Sequence, residues 1–83
     1  MKLLYFAWLR QRLGRAEEDV EAPAKVHDVA SLLDWLAGRG PEFEALLADR
    51  RVIRVAVNQE HADDATAVSN RDEVALFPPV TGG

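Results

Sequence analysis

Asp28-Val29-Ala30-Ser31-Leu32-Leu33-Asp34-Trp35-Leu36-Ala37-Gly38 is the stretch whose reading decides the fold. Val29, Leu32, Leu33, Leu36 and Ala37 fall at the i, i+3, i+4, i+7, i+8 positions of one buried helical stripe. Asp28 can cap the first turn, and Gly38 and Gly40 stop the helix. Trp35 flanks the stripe and covers its edge. Pro41 opens a shorter helical segment with Phe43, Leu46 and Leu47 facing inward. A helix with one apolar stripe needs another layer against it, and the sequence on both sides supplies strands.

Upstream, Lys2-Leu3-Leu4-Tyr5-Phe6-Ala7-Trp8 is aromatic and aliphatic and has the length of a strand. Alternation sets Leu3, Tyr5 and Ala7 on one face and Lys2, Leu4, Phe6 and Trp8 on the other, with the lysine marking the second face as outward. Leu9–Gly14 reads as a short helical turn ended by Gly14. Ala16–Ala22, with Glu17, Glu18, Asp19 and Glu21 around Val20, reads as a solvated edge strand that Pro23 closes.

Downstream, a period of two begins at Arg51: Ile53, Val55 and Val57 point one way and Val52, Arg54 and Ala56 the other. Asn58–Ser69 reads as a loop with a short edge strand near Thr66–Val68. Asn70-Arg71-Asp72 is a turn into Glu73–Phe77, with Val74 and Leu76 inside and Ala75 and Phe77 outside. The pattern predicts an α+β domain over residues 1–77, a mixed sheet of about four to five strands packed on one main helix, followed by a tail over residues 78–83. Leu4, Phe6, Trp8, Ala56 and Phe77 gather on the outer sheet face, where no second helix remains to cover them, and such a patch marks a partner site.

Composition narrows the function. Eighty-three residues with 48% apolar and 29% charged side chains fit one small folded domain. A net charge of −4 repels a phosphate backbone and argues against nucleic acid as a partner. With no cysteine there is no disulfide, thiolate metal site or thiol nucleophile. The apolar run Leu3–Leu9 is too short to span a bilayer and lacks a cleavage site, so no membrane association and a cytoplasmic location are expected. His27 and His61 are expected to be solvated, with no metal site. Glu17-Glu18-Asp19 and Asp63-Asp64 read as exposed faces. Arg10, Arg12 and Arg15, and Arg50, Arg51 and Arg54, read as solubilising or partner-contacting cations. No phosphate loop, catalytic carboxylate pair or nucleophile triad is present.

The chemistry lies in the ending Pro78-Pro79-Val80-Thr81-Gly82-Gly83. Adjacent prolines remove two backbone donors and favour an extended exit, so the sheet cannot continue and the six residues reach about 15–20 Å. Gly82 and Gly83 carry no side chain and can enter a channel too narrow for other residues. A terminal carboxylate is ionised at neutral pH and resists nucleophiles until it is activated. Adenylation by ATP supplies a leaving group, which a sulfur nucleophile can replace to form a terminal thiocarboxylate.

Asp72-Glu73-Val74-Ala75-Leu76-Phe77-Pro78-Pro79-Val80-Thr81-Gly82-Gly83, with Ala56-Val57-Asn58-Gln59 upstream and Phe6-Ala7 followed by Leu9-Arg10 near the start, resembles the small subunit of molybdopterin synthase, a ubiquitin-like β-grasp sulfur carrier. The resemblance covers essentially the whole chain. It implies that an adenylating enzyme related to those of ubiquitin activates Gly83 with ATP, that the glycine becomes a thiocarboxylate, and that the tail enters a large synthase subunit within a heterotetramer. There the sulfur passes to cyclic pyranopterin monophosphate to build the molybdopterin dithiolene. Gly83 is then the sulfur-bearing residue and Gly82 lets it thread. Phe6, Phe77, Pro78, Pro79, Val80 and Thr81 become partner contacts, and no cofactor is permanently bound. Two departures stand out: Asn70-Arg71 replaces a frequent Asp-Gly, and His61 replaces a common apolar contact.

Two other readings remain at this stage. One is a related carrier with a different acceptor, either in thiamin synthesis or on protein lysines as a ubiquitin-like modifier. The other is an interaction module that uses the outer sheet face alone.

Overall fold

The computed structural model describes residues 1–79. Along the chain run β1 (Lys2–Tyr5), α1 (Ala7–Leu13), β2 (Glu17–Asp19), α2 (Val29–Ala37), α3 (Pro41–Leu46), β3 (Arg54–Val57), β4 (Glu60–Ala62) and β5 (Glu73–Phe77), with a 3-10 turn at Arg50–Val52. The α2 helix starts as its sequence dictates. Asp28 accepts from the Ser31 backbone N–H at 2.8 Å while Ser31 Oγ accepts from the Asp28 N–H at 3.1 Å, so the side chains satisfy two backbone donors. Pro41 stands in the first turn of α3, where its missing N–H costs nothing.

The five strands form one mixed sheet in the order β2-β1-β5-β3-β4. The central pair β1–β5 is parallel and the remaining pairs are antiparallel. A parallel pair needs a crossover, and the whole chain between the two strands, helices included, provides it. The inner face buries Leu3, Tyr5, Val55, Val57, Val74 and Leu76 against Leu32, Leu33 and Leu36 of α2 and Phe43 and Leu46 of α3. The architecture is the expected α+β arrangement.

Several boundaries differ from the sequence reading. The first strand ends at Tyr5 and not Trp8: Phe6 is still extended, but Ala7 takes a left-handed φ of 55° and the helix begins there. Ala7 is exposed, not inward, and Trp8 lies on α1 and not on the outer sheet face. Burial of Leu9 and Leu13, one turn apart, explains why helix replaces strand so early. Gly14 closes α1 with a left-handed φ of 73°, as expected of a glycine there.

The solvated edge strand shrinks to Glu17–Asp19. Arg51 and Val52 belong to the 3-10 turn, so β3 begins only at Arg54. The second edge strand is Glu60–Ala62, while Thr66–Val68 contributes a single bridge, Ala67 to Asp28. Asn58 and Gln59, with φ of 51° and 71°, make the two-residue turn that folds β4 back on β3. Among the described residues no helix is long and apolar enough to cross a membrane.

Candidate functional site

Strand register assembles the outer face row by row. Glu17, Leu4, Ala75, Ala56 and His61 form one continuous row across all five strands. The next row toward the end of β5 places Phe77 opposite Arg54. Phe6 continues the extended course of β1 beside it, its N–H donating to the Leu76 carbonyl at 3.2 Å. Phe6 is 48% exposed, and Leu4, Ala56, Ala75 and Phe77 are half-buried with no helix over them. The expected apolar face therefore exists, without Trp8.

Strand alternation did not place His61 on this face, although the resemblance set it at a position where an apolar contact is common. It is exposed as anticipated, but its ring stands edge-on to Phe77, with centroids 5.7 Å apart and planes at 72°. The signal available in the sequence was the two-residue turn at Asn58-Gln59, which makes β4 a hairpin partner and turns His61 to the same face as Ala56. Trp8 instead lines a shallow groove of about 450 Å³ with Arg12, Ala45, Leu46, Ala48, Asp49 and Val52. The Arg12 guanidinium lies 5.2 Å from the centre of the Trp8 ring.

The tail leaves at the end of this face. β5 closes on Phe77, and the half-buried Pro78 and Pro79 follow without strand structure. The expected contacts Val80 and Thr81, and the expected reacting residues Gly82 and Gly83, lie outside the described residues. Arg54, level with Phe77, donates from Nη1 to the carbonyls of Arg51 at 3.1 Å and Ile53 at 3.4 Å.

At the opposite pole, Asn58 ties the end of β3 to the start of β5. Its Nδ2 donates to Asp72 at 3.0 Å, its Oδ1 accepts from the Glu73 N–H at 3.0 Å, and its own N–H donates to the Glu73 carbonyl at 2.7 Å. The Asn58 hydrogen bond, with those from Ser69, holds the Asp72 carboxyl below its usual range. Asn70, the departure in the turn, clamps the Ala22 backbone from both sides, Oδ1 accepting at 2.9 Å and Nδ2 donating at 3.0 Å.

The acidic run also departs from expectation at Glu18, which is not a free solvated side chain. It accepts from the Tyr5 hydroxyl at 2.6 Å and from Arg39 at 2.9 Å, with Arg15 at 3.2 Å. Burial works against its ionisation, but the hydrogen bonds from Arg39 and Tyr5 and the nearby guanidinium charges outweigh it, and the carboxyl sits below its ordinary value. Arg50 pairs with Asp34 and Arg51 with Asp49. Among the described residues no group of three or more His, Asp or Glu side chains is placed to hold a metal ion.

A mixed sheet packed on a main helix, bare on its other face and sending its central strand out beside that bare face, defines a ubiquitin-like β-grasp domain. The crystal structure of small archaeal modifier protein 1 from Haloferax volcanii superposes with a TM-score of 0.76 at 33% identity, covering 96% of this chain and 97% of that one. The model of the ThiS family matches residues 3–83, and the chain belongs to that family. Its relatives include proteins named molybdopterin synthase sulfur carrier subunit from Haemophilus influenzae and Escherichia coli, each 34% identical over 100% of this chain and 99% of the relative.

Proposed function

We propose that this protein is the sulfur-carrier subunit of a molybdopterin synthase, acting in the cytoplasm. An adenylating enzyme of the ubiquitin-activating type uses ATP to activate the Gly83 carboxylate. Sulfur then displaces the adenylate to give a thiocarboxylate. The large subunit of a heterotetramer receives the tail, and the sulfur passes to cyclic pyranopterin monophosphate. The chain contributes the sulfur and its docking face, with no permanently bound cofactor and no catalysis of its own.

The observation that carries this reading is the end-to-end similarity to relatives of that name. The geometry supports it: β5 delivers the tail at Phe77, beside the uncovered Leu4, Phe6, Ala56 and Phe77 face. Residues 1–77 then act as a rigid handle and residues 78–83 as the reactive tip. Deleting Gly83 is expected to abolish sulfur transfer while leaving folding and large-subunit binding nearly intact; retained transfer would refute the reading.

The likeness to a solved modifier protein favours one second reading, conjugation to protein lysines. Intact-mass analysis of the protein and its adducts from native cells separates the two. A thiocarboxylate terminus supports the carrier, and isopeptide-linked targets support the modifier.

A further inference from the structure

Register sets the exposed His61 among apolar neighbours. It lies opposite Ala56, at the end of the row that runs on through Ala75 and Leu4, and its ring meets Phe77 edge-on at 5.7 Å. The other end of that row is Glu17, whose carboxylate is taken up by Lys2 at 3.1 Å. Any surface that covers Leu4, Phe6 and Phe77 together with this row also covers the imidazole.

The charged groups around the ring do nothing to neutralise a proton on it. On β3, Arg54 shares the face with Ala56 and is the register partner of Phe77, so the adjacent strand contributes a cation. Asn58, at the other end of β3, is bonded to Asp72. On β5, Glu73 stands opposite Lys2, four residues before Phe77. On β4 itself, Glu60 alternates to the other face, opposite Val57. Asp63 and Asp64 lie beyond the strand and line a hollow with Val29 and Leu33 of α2, and the Asp63 carboxylate accepts from the Ala65 N–H at 3.0 Å and the Thr66 hydroxyl at 3.2 Å. Among the described residues no carboxylate lies within ion-pairing distance of His61, whereas His27 stands 3.5 Å from Asp28.

Imidazole is the side chain whose charge ordinarily changes between pH 5 and 8. A neutral ring fits an apolar interface, but a buried charge without a partner is expensive. The face of Phe77 offers a cation only a weak attraction, far less than desolvation of that charge costs.

We propose that His61 is a partner-binding residue of the docking face that seats only as the neutral ring, so the large subunit covers it with an apolar surface at neutral pH and binds more weakly as acid charges it. This rests on the functional reading above. Docking of a protonated chain expels the ring proton to solvent. The competent fraction of the chain shrinks as the pH falls, and the apparent affinity shrinks with it.

The test titrates the full chain with the large subunit by calorimetry at pH 7.5, 6.5 and 5.5, in two buffers of different ionisation enthalpy. Wild type is expected to bind on the order of tenfold more weakly at pH 5.5 than at pH 7.5, and to release about one proton per chain at the lower pH. His61→Phe is expected to lose this slope while binding at pH 7.5 with an affinity near that of wild type. His61→Lys carries a permanent charge and is expected to bind about tenfold more weakly than wild type already at pH 7.5. His27→Gln is expected to keep the wild-type slope. Thermal unfolding of each variant at both extremes of pH checks that the fold is intact. An equal slope in wild type and His61→Phe would overturn the proposal, as would wild-type affinity of His61→Lys at pH 7.5. Affinity that rises in acid would also overturn it, since it would place a partner carboxylate opposite the ring. Failure of the sulfur-carrier reading has a different signature, no complex with the large subunit at any pH, and would take the proposal with it.

Discussion

The Tyr5 hydroxyl donates to Glu18 across 2.6 Å, joining β1 to the acidic edge strand from within the fold. Arg39, in the turn between α2 and α3, binds the other Glu18 oxygen, and its guanidinium lies 5.4 Å from the Trp35 ring and 5.1 Å from that of Phe43. Phe43 in turn meets Tyr5 edge-on at 6.3 Å. A polar contact and an aromatic contact thus close one circuit through the sheet edge and both helices.

Removing the Tyr5 hydroxyl by Tyr5→Phe is expected to cost about 1 kcal/mol, because Glu18 keeps Arg39 and Arg15. Glu18→Ala is expected to cost more, about 1–3 kcal/mol, since it strands the hydroxyl of a tyrosine only 1% exposed. Urea unfolding of both variants checks the order; equal or inverted losses would contradict it.

The same carboxylate makes stability depend on acid. Glu18 has its pKa lowered from 4.5 in the folded chain, so below about that pH the unfolded chain binds more protons and stability falls as the pH drops through the folded value. Its contribution is fully present above the unfolded pKa. Asp28 and Asp72 are lowered as well, chiefly by hydrogen bonds from Ser31 and Asn58 respectively, and act in the same direction. Unfolding midpoints measured between pH 6 and pH 3 are expected to decline, with a shallower slope for Glu18→Gln.

Asn58 combines a positive φ with two side-chain hydrogen bonds to the start of β5. Asn58→Ala is expected to destabilise by about 1–3 kcal/mol through lost bonds and left-handed strain. Asn58→Gly is expected to recover the backbone part alone. Thermal unfolding gives the totals, and faster hydrogen exchange at the Glu73 amide locates the loss.

Phe6 is expected to serve binding more than folding. Phe6→Ala removes a ring that is 48% exposed, so stability is expected to change by less than about 1 kcal/mol. Affinity for the large synthase subunit is expected to fall by about thirtyfold, the scale of an aromatic hot spot. Calorimetric titration of both proteins measures it, and an unchanged affinity would remove Phe6 from the docking face.

Local patterns were legible wherever a short stretch of chain settles its own structure. The α2 stripe with its Asp28 cap, the Gly14 stop, and the alternation through Val55, Val57, Val74 and Leu76 all recur in the fold. The outer face was legible for Leu4, Phe6, Ala56 and Phe77, because alternation continues along each strand. It failed at Trp8, where Leu9 and Leu13 draw the chain into helix, and at His61, whose side depends on a hairpin closed by two residues of positive φ.

By itself the sequence determined the α+β class and the main helix, since these follow from periodicity and capping within short windows. Tertiary structure alone decided which strands neighbour each other, that Glu18 joins Tyr5 and Arg39, and that Arg54 stands beside Phe77. Such relations join residues tens of positions apart. They arise only when burial of the common core brings distant segments together and fixes their register.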